Sequence, residues 1–178
     1  MYNKEYWERK GLRSISYRDI FLPMSWIYEY GHINLGIVLD FGCGIGKTID
    51  TLIKMDVDTY GYEPSKWARE HPFRYAKGRL FNEIPNIPFD LIYSLDVFEH
   101  IHDEELRLIL SKLTKLSKLF IFEITPCDHK NYKGDITHIN PKTISEWREF
   151  LKPHFDKIVD TPECFYVKEH IIVCKNDI

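Results

Sequence analysis

A glycine-rich segment that follows a short apolar run constrains this chain more than any other feature. Residues 37–41 read Ile-Val-Leu-Asp-Phe, and residues 42–48 read Gly-Cys-Gly-Ile-Gly-Lys-Thr. The first run is typical of a buried parallel strand, and residues 48–55 carry apolar side chains at helical spacing. Glycines at every second position between a strand and a helix let a ligand approach the backbone and the amides of the helix N-terminus. The segment therefore predicts a ligand-binding loop within an α/β fold.

The spacing of these glycines argues against two common nucleotide-binding loops. A phosphate-binding loop needs G-x-x-x-x-G-K-[ST], and here its first glycine would fall at Phe41. A dinucleotide fingerprint needs G-x-G-x-x-G, and its third glycine would fall at Lys47. A nucleotide phosphotransferase that uses Gly46, Lys47 and Thr48 is therefore the weakest of the functions considered.

Acidic residues lie at the ends of the first two predicted strands. Asp40 lies two residues before the first glycine, where a carboxylate would repel a pyrophosphate and attract a ligand with positive amino and sulfonium groups. Glu63 ends the predicted strand 59–63, where a carboxylate can accept hydrogen bonds from both hydroxyls of a ribose. Glu63 alone would be read as a solvated strand end, but together with the loop it favours a nucleoside ligand.

Strand and helix patterns alternate along the rest of the chain. Capping residues and apolar spacing predict helices at 48–55 and 103–118 and a third that opens with a capping box at Thr143 and Glu146. The predicted strands are 37–41, 59–63, 73–77, 89–95, 119–124, 157–159 and 170–174. This order predicts a Rossmann-like seven-stranded, mostly parallel sheet with helices on both faces and a C-terminal antiparallel hairpin.

The chain has the length of one domain with an N-terminal appendage. It has 178 residues, and a single domain typically has about 100–150. Residues 1–34 predict a helical cover that either packs on the sheet or closes as a lid through Tyr6, Trp7 and Tyr17. Residues 35–178 predict the domain that carries the loop.

Charge and hydropathy argue against several classes of partner. With 24 basic and 27 acidic residues the net charge is −3, which argues against a dominant nucleic-acid or membrane surface. No apolar run approaches the ~20 residues that a transmembrane helix needs, and the four cysteines are scattered rather than paired. We expect a cytoplasmic protein whose oligomeric state the sequence leaves open.

Together these motifs resemble a known enzyme family. Residues 38–46 resemble motif I of the class I S-adenosylmethionine-dependent methyltransferases, and residues 61–65 resemble their second motif. Residues 89–101 resemble the strand-four motif of the ubiquinone-biosynthesis-like branch, and residues 138–143 are similar to the segment before its penultimate helix. The resemblance implies the class I fold and S-adenosyl-L-methionine as the cofactor.

The resemblance also implies which residues hold that cofactor. The loop backbone would hold the methionine moiety, with Asp40 near its amino group and Glu63 at the ribose. The chain lacks the acid that the family often places against adenine after strand three, so backbone groups or Asn82 would replace it. The implied cofactor set is Asp40, Phe41, Gly42, Cys43, Gly44, Gly46, Glu63, Pro64, Ser94, Leu95 and Asp96.

Further polar residues follow the fourth and fifth predicted strands, where substrate is expected. Imidazole is the natural proton acceptor at neutral pH, so the predicted catalytic residues are His100 and His138, with Glu99 to orient them. The same residues together with Asp96 could instead bind a divalent metal ion. A third interpretation is that Glu99 and His100 only cap the following helix.

The sequence therefore predicts a methyltransferase that acts on an oxygen or nitrogen atom of a small molecule. One alternative is a module that binds S-adenosylmethionine without catalysis. Another is an RNA methyltransferase, for which Lys112, Lys115 and Lys118 would have to be a binding stripe rather than a solvated helix face.

Overall fold

A computed structural model describes residues 5, 15–30, 35–130, 132–165 and 168–177 of the chain. Seven strands in these residues form one sheet in the order β3-β2-β1-β4-β5-β7-β6. Strands β1 to β5 pair in parallel, and β7 runs antiparallel between β5 and β6. The strands are β1 (Ile37–Phe41), β2 (Asp58–Tyr62), β3 (Leu80–Phe81), β4 (Leu91–Leu95), β5 (Leu119–Glu123), β6 (Lys157–Val159) and β7 (Ile171–Lys175). The predicted Rossmann-like sheet with its antiparallel C-terminal pair is confirmed.

Five α-helices accompany the sheet in the described residues. They are α1 (Tyr17–Tyr30), α2 (Lys47–Lys54), α3 (Lys66–Glu70), α4 (Asp103–Leu113) and α5 (Ile144–Leu151). The capping box that opens α5 is confirmed, because Thr143 accepts from the Glu146 amide and Glu146 accepts from the Thr143 amide. Helix α4 ends five residues earlier than predicted.

Alternate strand residues pack against helices on opposite faces of the sheet. Trp147 of α5 is fully buried in a core that contains Ile92 of β4, whereas Trp26 of α1 is fully buried in a second core with Leu91 and Tyr93. The rings of Trp26 and Tyr93 lie 4.5 Å apart. Because successive side chains of a strand point to opposite faces, the central strands supply both cores, and α1 is part of this packing.

The third strand differs from the prediction. Residues 73–77 are not a strand, and Arg74–Ala76 forms a 3₁₀ turn. The Phe73 amide donates to the carbonyl oxygen of Ile45 (2.7 Å) and the Tyr75 amide to the Asp50 carboxylate (3.1 Å). Because these amides donate hydrogen bonds to the glycine loop and to α2, this segment crosses the loop instead of extending the sheet.

The sequence also predicted an N-terminal cover or lid and no transmembrane helix. Tyr6 and Trp7 lie outside the described residues, and Tyr17 begins α1 with its ring exposed and stacked on Phe21. None of the described helices combines the length and the apolar character that crossing a membrane would require.

Candidate active site

The glycine loop lies at the carboxyl ends of β1 and β2. Gly42, Gly44 and Gly46 have φ values of 84°, 56° and 82°, a left-handed conformation that favours glycine. The amides of Gly42 and Cys43 donate to the carbonyl oxygen of Tyr62 (2.9 and 3.1 Å). The end of β2 therefore holds the loop in place, next to the residue that follows β2.

That residue is Glu63, and its carboxylate is buried against the loop. One oxygen accepts from the amide of Gly44 (2.9 Å) and the other from the amide of Ser65 (2.7 Å). Burial raises the pKa of Glu63, while these two amides and the charge of Arg69 oppose the rise. Each carboxylate oxygen has a second lone pair, so Glu63 can still accept a hydrogen bond from a ligand hydroxyl.

Asp40 is the second buried acid at this end of the sheet. It is 3% exposed, and its register partner on β4 is Tyr93. Burial raises the pKa of Asp40 to about 8; the Tyr93 hydroxyl opposes the rise and the charge of Glu63 adds to it. A carboxyl group this poorly compensated favours a cationic ligand beside it.

S-adenosylmethionine fits this set of donors and acceptors. Its positive amino and sulfonium groups would compensate the buried charge of Asp40, and its ribose hydroxyls would donate to Glu63. A Cβ atom on Gly42 would lie 2.4 Å from Val97 Cγ2, so a glycine at this position lets the loop pack closely on the segment after β4. The geometry is thus compatible with the predicted loop and strand-end residues acting as one binding site.

The ends of β4 and β5 are joined to α1 by Arg18. Its guanidinium donates to Asp96 (2.7 Å) and to Glu123 (2.9 Å). Asp96 also accepts from the hydroxyl of Thr125 (2.9 Å). Burial raises the pKa of Glu123 to about 7, against the opposing charge of Arg18. Asp96, predicted as a cofactor or metal residue, is therefore engaged in this ion-pair network.

Glu99 follows Asp96 in a 3₁₀ turn, Phe98–His100, and is fully buried. One carboxylate oxygen accepts from the Thr125 amide (3.0 Å), and Oε2 has no hydrogen-bond partner among the described residues. Burial raises the pKa of Glu99, with the charge of Asp96 adding to the effect. A buried carboxyl oxygen without a partner is costly, so this position calls for a bound ion, water or ligand group.

The two predicted catalytic histidines lie together beside Glu99. The ring centroids of His100 and His138 are 4.7 Å apart. Nδ1 of His100 lies 3.0 Å from the carbonyl oxygen of Thr137, and Nδ1 of His138 lies 2.7 Å from that of Tyr132. Because a carbonyl oxygen only accepts, each Nδ1 carries a proton when the ring is neutral, and each Nε2 carries the lone pair.

The loop after β5 is held beside the two histidines by hydrogen bonds to the backbone of Glu99. The amides of Ile139 and Asn140 both donate to the Glu99 carbonyl oxygen (2.9 and 3.0 Å). The side chain of Asn140 then donates to the carbonyl oxygen of Ile101 and to Asp103, each at 2.8 Å. These bonds position His138 next to His100 although the two residues are 38 positions apart in sequence.

The other predicted residues differ in exposure. Ser94 is buried, with its hydroxyl unpartnered among the described residues, and Leu95 packs partly against the α1 core. Pro64 and Asn82, on the adenine side, are exposed. His102 occupies the N-cap position of α4, but its side chain makes no capping hydrogen bond.

Three residues of this region escaped the sequence analysis. Arg18 carries no local signal, because its partners lie 78 and 105 positions away. Glu123 could have been found as an acid that ends an otherwise apolar strand, and Tyr93 as a hydroxyl within one.

Comparisons with known proteins bear on the family. Residues 18–155 match the family described as methyltransferase domain. The chain is 28% identical over 155 residues to an uncharacterized methyltransferase of Anoxybacillus flavithermus, an alignment that covers 78% of this chain and 71% of that protein. It is 30% identical over 111 residues to one of Bacillus thuringiensis, covering 57% and 52%. The chain thus spans about half the length of the Bacillus relative.

Solved structures share the fold at low identity. The magnesium protoporphyrin IX methyltransferase of Synechocystis, solved with SAH bound, has a TM-score of 0.71 at 17% identity, with 99% of this chain and 96% of that one covered. An S-adenosylmethionine-dependent methyltransferase of Clostridium acetobutylicum has a TM-score of 0.70 at 16% identity, covering 97% and 96%. The sheet order, the loop and the match over most of its length establish that this chain belongs to the class I S-adenosylmethionine-dependent methyltransferases.

Proposed function

We propose that this protein transfers the methyl group of S-adenosylmethionine to a hydroxyl or amino group of a small molecule. One observation carries the proposal. Two imidazoles with Nε2 lone pairs lie beside the buried Glu99, at the sheet edge where the glycine loop also lies. In open α/β sheets, ligands bind at the carboxyl ends of the strands, which form this edge.

Methyl transfer from a sulfonium is an in-line displacement. The acceptor atom forms a bond to the methyl carbon while the bond from carbon to sulfur breaks, and S-adenosylhomocysteine leaves. The protein's main contribution is to align the three atoms. We assign the holding of the cofactor to the glycine loop, with Asp40 at the amino group and Glu63 at the ribose.

A hydroxyl or protonated amine must also lose a proton. His100 and His138 are placed to accept it, since in each neutral ring the bond of Nδ1 to a carbonyl oxygen leaves Nε2 basic. Glu99 lies beside both rings and would stabilise the imidazolium once it forms.

The charges near this cluster favour a neutral or cationic acceptor over an anionic one. Asp96, Glu99 and Glu123 bring three carboxyl groups to the strand ends, and the charge of Arg18 is already paired with two of them. For a phosphate-bearing acceptor, including nucleic acid, the guanidinium of Arg18 is already engaged by two of these acids, and the acids themselves offer no attraction.

The test is transfer of labelled methyl from S-adenosylmethionine to a panel of phenols, alcohols and amines. With an accepted substrate, His100→Ala and His138→Ala should each lower turnover by about 10²–10⁴-fold, while leaving the affinity for S-adenosylhomocysteine unchanged. His102→Ala, which removes an exposed histidine next to the cluster, is the matched control.

Full turnover in both histidine variants would overturn the catalytic assignment. If no acceptor in the panel is methylated although S-adenosylhomocysteine binds, the protein is better described as a cofactor-binding module.

A further inference from the structure

We propose that Glu99, His100 and His138 bind one divalent transition-metal ion. The three side chains each offer one ligand atom, and these atoms all lie within 4.8 Å of one another. In tetrahedral coordination, two ligands at ~2.1 Å from one ion lie ~3.4 Å apart. The ligand atoms therefore need to approach one another by at most ~1.4 Å to surround an ion.

The orientation of both imidazoles suits metal binding. A histidine ligand usually donates its second ring N–H to a backbone carbonyl or a carboxylate, which sets the tautomer and the direction of the ring. His100 meets this condition at the Thr137 carbonyl oxygen and His138 at the Tyr132 carbonyl oxygen. The Thr137 hydroxyl lies 3.0 Å from Nδ1 of His100 and donates to Asp135 (2.5 Å). A second layer of hydrogen bonds therefore helps to hold the ring of His100 in its orientation.

The side chain of Glu99 indicates a bound ion independently of the two imidazoles. Its side chain is 0% exposed, yet Oε2 has no hydrogen-bond partner among the described residues. Its other oxygen is occupied by the Thr125 amide, and its carbonyl oxygen holds the loop that carries His138. A carboxylate held this firmly, with one buried oxygen unsatisfied, is explained by an ion that the oxygen would coordinate.

The donor set indicates the class of metal. Two imidazole nitrogens and one carboxylate suit Zn²⁺, Co²⁺, Fe²⁺ or Mn²⁺, whereas Mg²⁺ and Ca²⁺ prefer oxygen ligands. Three protein ligands also leave a coordination position open. Asp96, which the sequence analysis included in the ligand set, is bound to Arg18 and Thr125 instead.

The metal site deepens the proposed function, and in its role at the acceptor it rests on that function. An acceptor hydroxyl in the open position would have its pKa lowered by the ion, so that its proton could pass to water. The imidazoles would then act as ligands, and they would accept the proton themselves only in the metal-free protein.

The experiment measures binding of the metal alone to the full chain after treatment with a chelator. Calorimetric titration with Zn²⁺ should show one tight site per chain, Co²⁺ should give visible absorption bands, and Mg²⁺ should not compete. Losing a residue outside the ligand shell already costs about 10–100-fold in affinity, so Glu99→Gln and His138→Ala should weaken Zn²⁺ binding at least that much. The control His102→Ala should bind Zn²⁺ as the parent does.

Glu99→Gln keeps the size of the side chain and an acceptor for the Thr125 amide, so it guards against misfolding. Titration of the same samples with S-adenosylhomocysteine checks the fold and tests the proposed function separately. Absence of saturable binding at millimolar Zn²⁺, or equal binding by all four proteins, would overturn the metal site. Zn²⁺ binding with no S-adenosylhomocysteine binding would overturn the proposed function but leave the metal site standing.

Discussion

The two halves of the carboxyl edge of the sheet are built in different ways. The half that we assign to the cofactor (the cofactor half), at β1 and β2, consists of backbone groups and of two acids at strand ends within 24 residues of each other. The half that we propose for the methyl acceptor (the acceptor half), at β4 and β5, consists of side chains from α1, β5, the turn after β4 and the loop before α5. The first half is local in sequence and the second is not.

This difference has consequences for how each half tolerates change. In the cofactor half, backbone conformation is the constraint, because the loop glycines adopt positive φ values and the end of β2 holds the loop. In the acceptor half, side-chain chemistry is the constraint, and the backbone only brings His138 to its partners. Substitutions that alter backbone conformation should therefore affect cofactor binding, while those that alter chemistry should affect turnover.

The largest expected effect is that of Gly44→Val on cofactor binding. Gly44 has a φ of 56°, which a β-branched residue rarely adopts, and the new side chain would occupy space assigned to the ligand. We expect no measurable binding of S-adenosylhomocysteine by calorimetry. Gly78→Val is the matched control, because Gly78 has a φ of 80° with open space around it. Near-normal binding by Gly44→Val would contradict the role given to the loop.

A smaller effect is expected for Glu63→Ala. The variant loses a charge-assisted hydrogen bond to the ribose, which should weaken S-adenosylhomocysteine binding by about 1.5–3 kcal/mol, or about 10–150-fold. Glu63→Gln should lose less, since it keeps one acceptor oxygen. Glu70→Ala, at an exposed position on α3, should bind normally. The ribose assignment is wrong if Glu63→Ala binds as tightly as the parent.

A third prediction concerns the pH dependence of stability. The folded protein holds the pKa of Asp40 near 8, through burial and the charges of Glu63 and Asp19, against the Tyr93 hydroxyl and Arg18. The unfolded chain releases that proton near its ordinary pKa of about 4. The stabilising contribution is therefore complete at low pH and is lost as pH rises toward 8.

We expect the free energy of unfolding to fall between about pH 5 and pH 8, and to fall less steeply in Asp40→Asn. Saturating S-adenosylhomocysteine should flatten the parent's profile as well, because its amino group favours the charged carboxylate. Denaturant titrations at several pH values, with and without this ligand, measure both effects. Identical slopes for the parent and Asp40→Asn would contradict the assignment, and Glu70→Gln serves as the control carboxylate.

Much of the cofactor half was accessible from the sequence. The strand before the loop, the loop itself and Glu63 follow from periodicity and glycine spacing, and the capping box of α5 follows from four consecutive residues. The prediction of a strand at 73–77 was wrong. Backbone amides of this segment donate to the glycine loop and to α2 instead of to a neighbouring strand, and no residue pattern within the segment indicates this.

The sequence by itself determined the fold class, the family and the candidate loop, because strand and helix periods and positive-φ glycines are properties of neighbouring residues. Only the tertiary structure decided that Arg18 takes Asp96 away from the predicted ligand set, and that two amides bound to the Glu99 carbonyl oxygen bring His138 to His100. The reason is physical. Contacts between distant segments depend on the order of strands in the sheet and on which backbone groups remain to be paired, and neither is encoded in local spacing.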